Sequence, residues 1–311
     1  MSDSSTLVQA GPAEISERTA KLIGALRRNA PSPDWGPQEH RQAFEAAASS
    51  WPIAAGVQID ARQTDDGQVE ILTPEPSTHD DVVLYLHGGG FMMGSLNTAR
   101  PLASLVAARA QRRVVTFDYP LAPEANAPDQ LQSLLRILQW IDREHCRLED
   151  LTVMGDSAGG NLALGAAQAV RDELGRSLRG CILLSPYLDL TLQETATAHG
   201  ANDDDPQAAT WLLEQMAQWY CGSDVDRADP QISPLFGNLN DLPPMLIQVA
   251  ANENLLSDSM RLHGSATTDV DLQVWADGFH AWHYFAPRLP SADAAVDELV
   301  AWLDGPRFTH R

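Results

Sequence analysis

Cysteine, basic side chains and long apolar runs are all scarce in this chain, and each shortage closes off a class of function. The three cysteines, Cys146, Cys181 and Cys221, are too few and too scattered for a disulfide framework or a zinc site. Cys181 lies in the run Cys181-Ile182-Leu183-Leu184 and reads as a small buried hydrophobe. Lys and Arg number 21 against 42 Asp and Glu, a formal charge of −21. That field works against phosphate backbones and anionic lipid, so neither a nucleic acid nor a membrane is expected as partner. No stretch approaches the ~18 uninterrupted apolar residues of a membrane span. The start, Met1-Ser2-Asp3-Ser4-Ser5, has neither a basic leader nor an apolar segment, and a cytoplasmic location is expected.

What is present is a long chain with an ordinary core. Its 311 residues are 44% hydrophobic and 20% charged, a composition typical of soluble globular proteins. Helical spacing over 13–28 and 40–51 is interrupted by Pro31-Ser32-Pro33-Asp34-Trp35-Gly36-Pro37. Strand-like runs at 57–60 and 69–72 flank a hairpin turn at Asp65-Asp66-Gly67. Short apolar runs follow at 82–86, 114–117, 151–154, 181–184, 245–250 and 272–275, with amphipathic, helix-length segments between most of them. Strands without alternation, separated by helices, predict a parallel sheet buried on both faces, of about eight strands. Some sixty residues separate the runs at 181 and 245, and an apolar helix near 210–220 lies among them. That is too long for a plain crossover, so it reads as an insertion over the sheet. The expected division is N-terminal cap helices in 1–52, a catalytic α/β part in 53–190, a cap insertion in 191–226 and the rest of the α/β part in 227–311.

Open α/β sheets carry their sites at the carboxyl ends of the strands. The run at 151–154 enters Gly155-Asp156-Ser157-Ala158-Gly159-Gly160 and then a helix. This is G-x-S-x-G in strand–turn–helix context, which makes Ser157 a candidate nucleophile at a helix N-terminus. The run at 82–86 enters His87-Gly88-Gly89-Gly90-Phe91, where glycines let backbone N–H groups approach a carbonyl turning into an oxyanion. Gly88 and Gly89 are the expected donors, with Ala158 as the third. His87 is expected to orient this loop. No Lys-Ser or Lys-Thr pair follows the glycines and no G-x-G-x-x-G is present, so no phosphate loop is read here.

In a sheet of this kind the order along the chain is Ser, acid, His. His199 falls in the insertion, His263 in a helix and His310 at the terminus. His280, after the last strand and a glycine turn, is the expected base, with His283 as its neighbour. The acid should follow the run at 245–250, where Glu253 sits on the loop and Asp258 opens a helix that it could simply cap. Its task is to accept from the imidazole and stabilise imidazolium. Glu253 is preferred and Asp258 stays open.

These pieces resemble the bacterial hormone-sensitive-lipase group of α/β-hydrolases from about Gly56 to Leu303. The resemblance rests on His87 to Phe91, Asp118-Tyr119-Pro120-Leu121-Ala122-Pro123-Glu124 and Gly155 to Gly160. Asp229-Pro230 with Ser233-Pro234-Leu235, Leu242-Pro243-Pro244-Met245-Leu246-Ile247, and His280 complete it. It implies a serine esterase acting on short acyl esters with water, without metal or cofactor, under a helical cap that supplies the acyl pocket. Two places depart from the group. Its usual Tyr-Arg-Leu-Ala-Pro-Glu has Pro120 in the arginine position, and its Asp-x-Leu-x-Asp reads Glu253-Asn254-Leu255-Leu256-Ser257. The carry-over puts the acid at Glu253.

Met92, Met93, Trp211, Met216, Trp282 and Phe285 are the expected pocket walls. The same machinery could serve a lactone or an amide, and a non-catalytic small-molecule receptor is the reading of another class. A homodimer formed through the last strand, near 272–275, is also expected.

Overall fold

Five apolar residues in a row leave no strand face for water, and β4 (Val82–Leu86) is buried along its whole length. The computed structural model describes residues 6–194, 205–223 and 225–308. Its sheet has nine strands: β1 (Thr6–Ala10), β2 (Val57–Thr64), β3 (Gly67–Pro74), β4, β5 (Arg113–Phe117), β6 (Leu151–Asp156), β7 (Gly180–Leu184), β8 (Met245–Ala250) and β9 (Val270–Trp275). Their spatial order is β1-β9-β8-β7-β6-β4-β5-β3-β2. The pairs β2–β3 and β3–β5 are antiparallel and every other pair is parallel.

The pleat divides each strand between two helical layers. Val82, Leu84 and Leu86 join a core with Leu134 and Ile137 of α4 (Asp129–Glu144) and Leu162 of α5 (Ala158–Leu174). Val83 and Tyr85 face the other way, toward Leu102 and Val106 of α3 (Leu96–Ala110) and Leu299 of α8 (Pro290–Leu303). Helix α7 (Leu256–Ser265) packs on the α4–α5 side through Leu262. Helices α1 (Glu17–Arg28), α2 (Pro37–Ala48) and α6 (Thr210–Cys221) stand outside these layers and bear on the carboxyl edge of the sheet. Among the described residues no helix is long and apolar enough to cross a membrane.

The sheet differs from expectation at one edge. Residues 6–10 form a ninth strand, so the N-terminal segment expected to be cap helices alone also supplies part of the sheet. Strand β1 runs parallel to β9, in register from Thr6↔Asp271 to Ala10↔Trp275. Its partner lies at the far end of the chain, and five residues carry too little periodicity to announce such a pairing. Because β1 covers the outer edge of β9, that strand is not the free edge expected to pair across a two-fold axis.

Candidate active site

The turn after β6 depends on close approaches that leave no room for side chains. A Cβ on Gly155 would lie 2.2 Å from the Gly159 carbonyl oxygen, and one on Gly159 would lie 2.1 Å from that of Leu86. With glycine at both places the chain reverses around Ser157, held at φ 50°, ψ −116°. That is a strained conformation for a residue with a side chain. Ser157 N–H donates to Leu184 O at 2.9 Å, and Tyr187 N–H donates to Ser157 O at 3.1 Å. Its Oγ lies 3.0 Å from Nε2 of His280.

His280 is buried on the loop after β9, with Nδ1 3.4 Å from Glu253 Oε1. The other carboxylate oxygen, Oε2, accepts from Ser185 Oγ at 2.8 Å and from Ala250 N–H at 3.0 Å. Ser185 Oγ accepts in turn from Ala281 N–H at 3.1 Å. One hydroxyl therefore ties the acid loop to the base loop, a role nothing in the sequence around Ser185 announced. Burial works to lower the His280 pKa. The hydrogen bond and charge of Glu253, with the charges of Asp205 and Asp156, outweigh burial and leave it raised.

The other candidates are engaged elsewhere. Asp258 Oδ2 accepts from Leu188 N–H at 2.8 Å and Asp189 N–H at 2.9 Å, bracing the loop after β7. Burial pushes its carboxyl up to about 7. His283 Nε2 lies 3.0 Å from Gln248 Oε1 in the core, where burial pulls its pKa down to about 3. His199 and His310 lie outside the described residues.

The glycine loop brings a correction. Gly88 N–H, expected as an oxyanion donor, donates to Asp156 Oδ1 at 2.9 Å and is engaged inside the protein. Gly89 and Gly90, at φ 115° and 59°, line the cavity beside Ser157. Among the described residues their N–H groups have no protein acceptor. Ala158 N–H, in the first turn of α5, has no intrahelical acceptor either. The open donors are thus Gly89, Gly90 and Ala158. His87 sits against the loop: its ring stacks on Tyr119 at 4.3 Å, and its Nδ1 lies 2.8 Å from Gly88 O. Burial lowers its pKa to about 4.

A cavity of about 160 Å³ opens over Ser157 and His280. Met93 and Met216 line it as expected, but four other expected walls do not. Met92 is wholly buried beneath the glycine loop, and Trp282 packs against Trp275 in the opposite core. Phe285 turns to Phe279 and Trp51, and Trp211, partly buried, packs against the core and does not line the cavity. The walls the sequence did not disclose include Leu26, Trp35, His40 and Phe44 from the N-terminal segment, with Leu213 and Tyr284.

Polar clamps fasten this roof. Arg41 of α2 donates to Met92 O and Ala122 O, each at 2.7 Å, and grips both carboxylate oxygens of Glu124. Gln207 Nε2 donates to His280 O, and Ser16 N–H donates to Asp277 Oδ1 at 2.7 Å. Asn254 Nδ2, beside the acid, donates to Ala208 O at 2.8 Å.

Known proteins resemble this arrangement over most of the chain. Residues 83–284 match a family model described as the alpha/beta hydrolase fold. An esterase from Acinetobacter venetianus is 31% identical over 293 residues, covering 92% of this chain and 96% of that protein. Carboxylesterase NlhH from Mycobacterium tuberculosis is 32% identical over 235 residues, 71% of this chain and 72% of its own length. A crystal structure of an esterase from the bacterial hormone-sensitive lipase family superposes with a TM-score of 0.86 at 32% identity. It covers 93% of this chain and 97% of that one.

Proposed function

This chain belongs to the α/β-hydrolase family, in the bacterial hormone-sensitive-lipase group, and is a serine carboxylic-ester hydrolase; on that premise we propose that Ser157, His280 and Glu253 are its triad. The observation that carries the proposal is the 3.0 Å approach of Ser157 Oγ to His280 Nε2, with Glu253 at the other ring nitrogen. The 3.4 Å separation on the Glu253 side shortens as the imidazole gains a proton, because catalytic hydrogen bonds tighten when charge develops.

His280 takes the proton from Ser157 as Oγ attacks the ester carbonyl, and the oxyanion forms against the N–H groups of Gly89, Gly90 and Ala158. Glu253 stabilises the imidazolium, which then protonates the leaving alcohol as the C–O bond breaks. Water then gives a proton to His280 as it attacks the acyl carbon; the bond from that carbon to Ser157 Oγ breaks, Oγ takes the proton back from His280, and the acid leaves with Ser157 restored. The cap helices α1, α2 and α6 form the acyl pocket. An apolar cavity of ~150 Å³ holds one benzene, so a free space of about 160 Å³ suits a chain of about four to six carbons.

A series of p-nitrophenyl esters from acetate to palmitate, run on the wild type and on Ser157→Ala, tests this reading. Turnover should peak at short chains and vanish in the variant while substrate still binds. Full turnover by pure Ser157→Ala would remove the nucleophile assignment. A wild type inactive on every ester but active on lactones or amides would move the substrate class.

A further inference from the structure

The mechanism above leaves one buried charge beside the nucleophile without a task. Asp156 is 1% exposed, and a carboxylate is removed from water at heavy cost unless donors replace the water. Three donors converge on it. Tyr85 O–H and Gly88 N–H donate to Oδ1 at 2.6 and 2.9 Å, and Tyr284 O–H donates to Oδ2 at 2.7 Å. Burial raises the Asp156 pKa and the hydrogen bonds from Tyr85, Tyr284 and Gly88 oppose that rise; an ionised carboxylate, which only accepts, matches this donor set at every contact. The donors come from three places: β4, the glycine loop and the short helix after His280. The fit against the loop is close, since a Cβ on Gly88 would lie 2.2 Å from Oδ2. Tyr284 also walls the cavity, stacked on Trp51 at 4.6 Å with Phe44 edge-on at 6.0 Å.

We propose that Asp156 is a positioning residue for the ester hydrolysis. Its carboxylate fixes Gly88, so that the next two N–H groups stand where the oxyanion develops above Ser157, and it pins Tyr284 as a rigid wall of the same cavity. The inference rests on the esterase reading. Gly88 Cα and the Gly89 N–H lie in one planar peptide, so a shift at Gly88 moves that donor with it. A misplacement of ~1 Å costs on the order of 10²-fold in rate.

The charge of Asp156 has a second, separable consequence. The groups that raise the His280 pKa are Glu253 from the loop after β8, Asp205 from the cap insertion and Asp156 from β6. His280 serves as base only when neutral. Removing the Asp156 charge lowers the His280 pKa, so the acid limb of kcat/KM moves to lower pH.

The test uses the full chain with p-nitrophenyl butyrate and the variants Asp156→Asn, Tyr284→Phe and Tyr85→Phe. Asp156→Asn should lose on the order of 10²-fold in kcat at little-changed KM, with its acid limb displaced to lower pH. The two phenylalanine variants keep the charge and remove one donor each, so kcat should fall less and the acid limb should stay. Wild-type kcat and an unmoved acid limb in Asp156→Asn overturn the proposal. If that variant does not fold, wild-type kcat in both phenylalanine variants overturns it, and lowered kcat at constant KM supports it. A wild type without esterase activity defeats the underlying reading, whereas an active wild type with indifferent variants defeats this inference alone.

Discussion

Ser157, Glu253 and His280 follow the ends of β6, β8 and β9, and each of those strands is hydrogen-bonded to a neighbour on both sides. The residues across the cavity come from α1, α2 and α6, which are fastened by a few side-chain clamps and by apolar contact. The floor therefore takes its geometry from a continuous backbone ladder, and the roof takes its geometry from separable side chains. Chemistry that tolerates little error in distance is built on the first. On the proposed reading, selection among substrates is left to the second, where one side chain can change without disturbing the ladder.

The floor should respond to a change of a single atom. Glu253→Gln keeps size and shape but removes the charge that favours imidazolium and the correct tautomer, and a comparable change in a well-studied triad costs on the order of 10⁴ in kcat. We expect a loss of that order in steady-state turnover, with the acid limb moved down because Glu253 raises the His280 pKa. Asp258→Asn is the control. Its carboxyl titrates near 7 in the folded chain, above the ordinary carboxylate range. The folded state therefore binds this proton more tightly, and the contribution of Asp258 to stability declines as pH rises from ~4 towards that value. Asp258→Asn should keep its kcat and lose that decline in urea unfolding at a series of pH values. A variant as inactive as Glu253→Gln would reverse the assignment of the acid.

How much was legible in the sequence follows the same division. The apolar runs, the glycine turns and the order Ser, acid, His are local patterns, and they brought Ser157, His280 and Glu253 together from positions up to 123 residues apart. Gly88 was misread because a spacing of residues does not say where the Asp156 carboxylate points. The roof was largely hidden. Leu26 lies on one helix and His40 and Phe44 on the next, with Trp35 in the break between them, and no local pattern names what these side chains face. The one available hint was that two N-terminal helices had no strand of their own to cover. Residues 6–10 were missed for a related reason, since a parallel partner for β9 is decided by tertiary contact and not by local period.

The clamps test whether roof and floor are truly separable. Arg41 joins α2 to Met92 O, in the turn where the N–H groups of Met92 and Met93 donate to Gly89 O. Arg41→Met removes hydrogen bonds from a charged donor, each worth about 1.5–3 kcal/mol, partly offset because the side chain is 19% exposed. We expect kcat/KM to fall by about tenfold, corresponding to ~1.4 kcal/mol, with faster amide exchange in 37–48 and in 89–93. Faster exchange confined to 37–48, with kcat unchanged, would show that the cap floats free of the glycine loop.

The smallest effect should come from the roof alone. Phe44 is half-buried, lines the cavity and meets Trp51 and Tyr284 edge-on at 5.9 and 6.0 Å. Phe44→Ala removes a ring without touching Ser157, His280 or the open N–H groups. If the acyl chain runs toward α2, the vacated space admits further methylenes, each worth about 0.8 kcal/mol when buried, or about fourfold in kcat/KM. The ester series should then shift its optimum to longer chains while kcat on acetate stays near the wild-type value. An unchanged optimum would mean that the acyl chain lies against Leu213 and Met216 instead, leaving α2 to the alcohol. In that case Leu213→Ala becomes the variant that lengthens the preferred chain, and the division between an exact floor and an adjustable roof still holds, with α6 in place of α2 against the acyl chain. A loss of acetate turnover in Phe44→Ala, carried through Tyr284 to Asp156, would show that here too the two regions act as one.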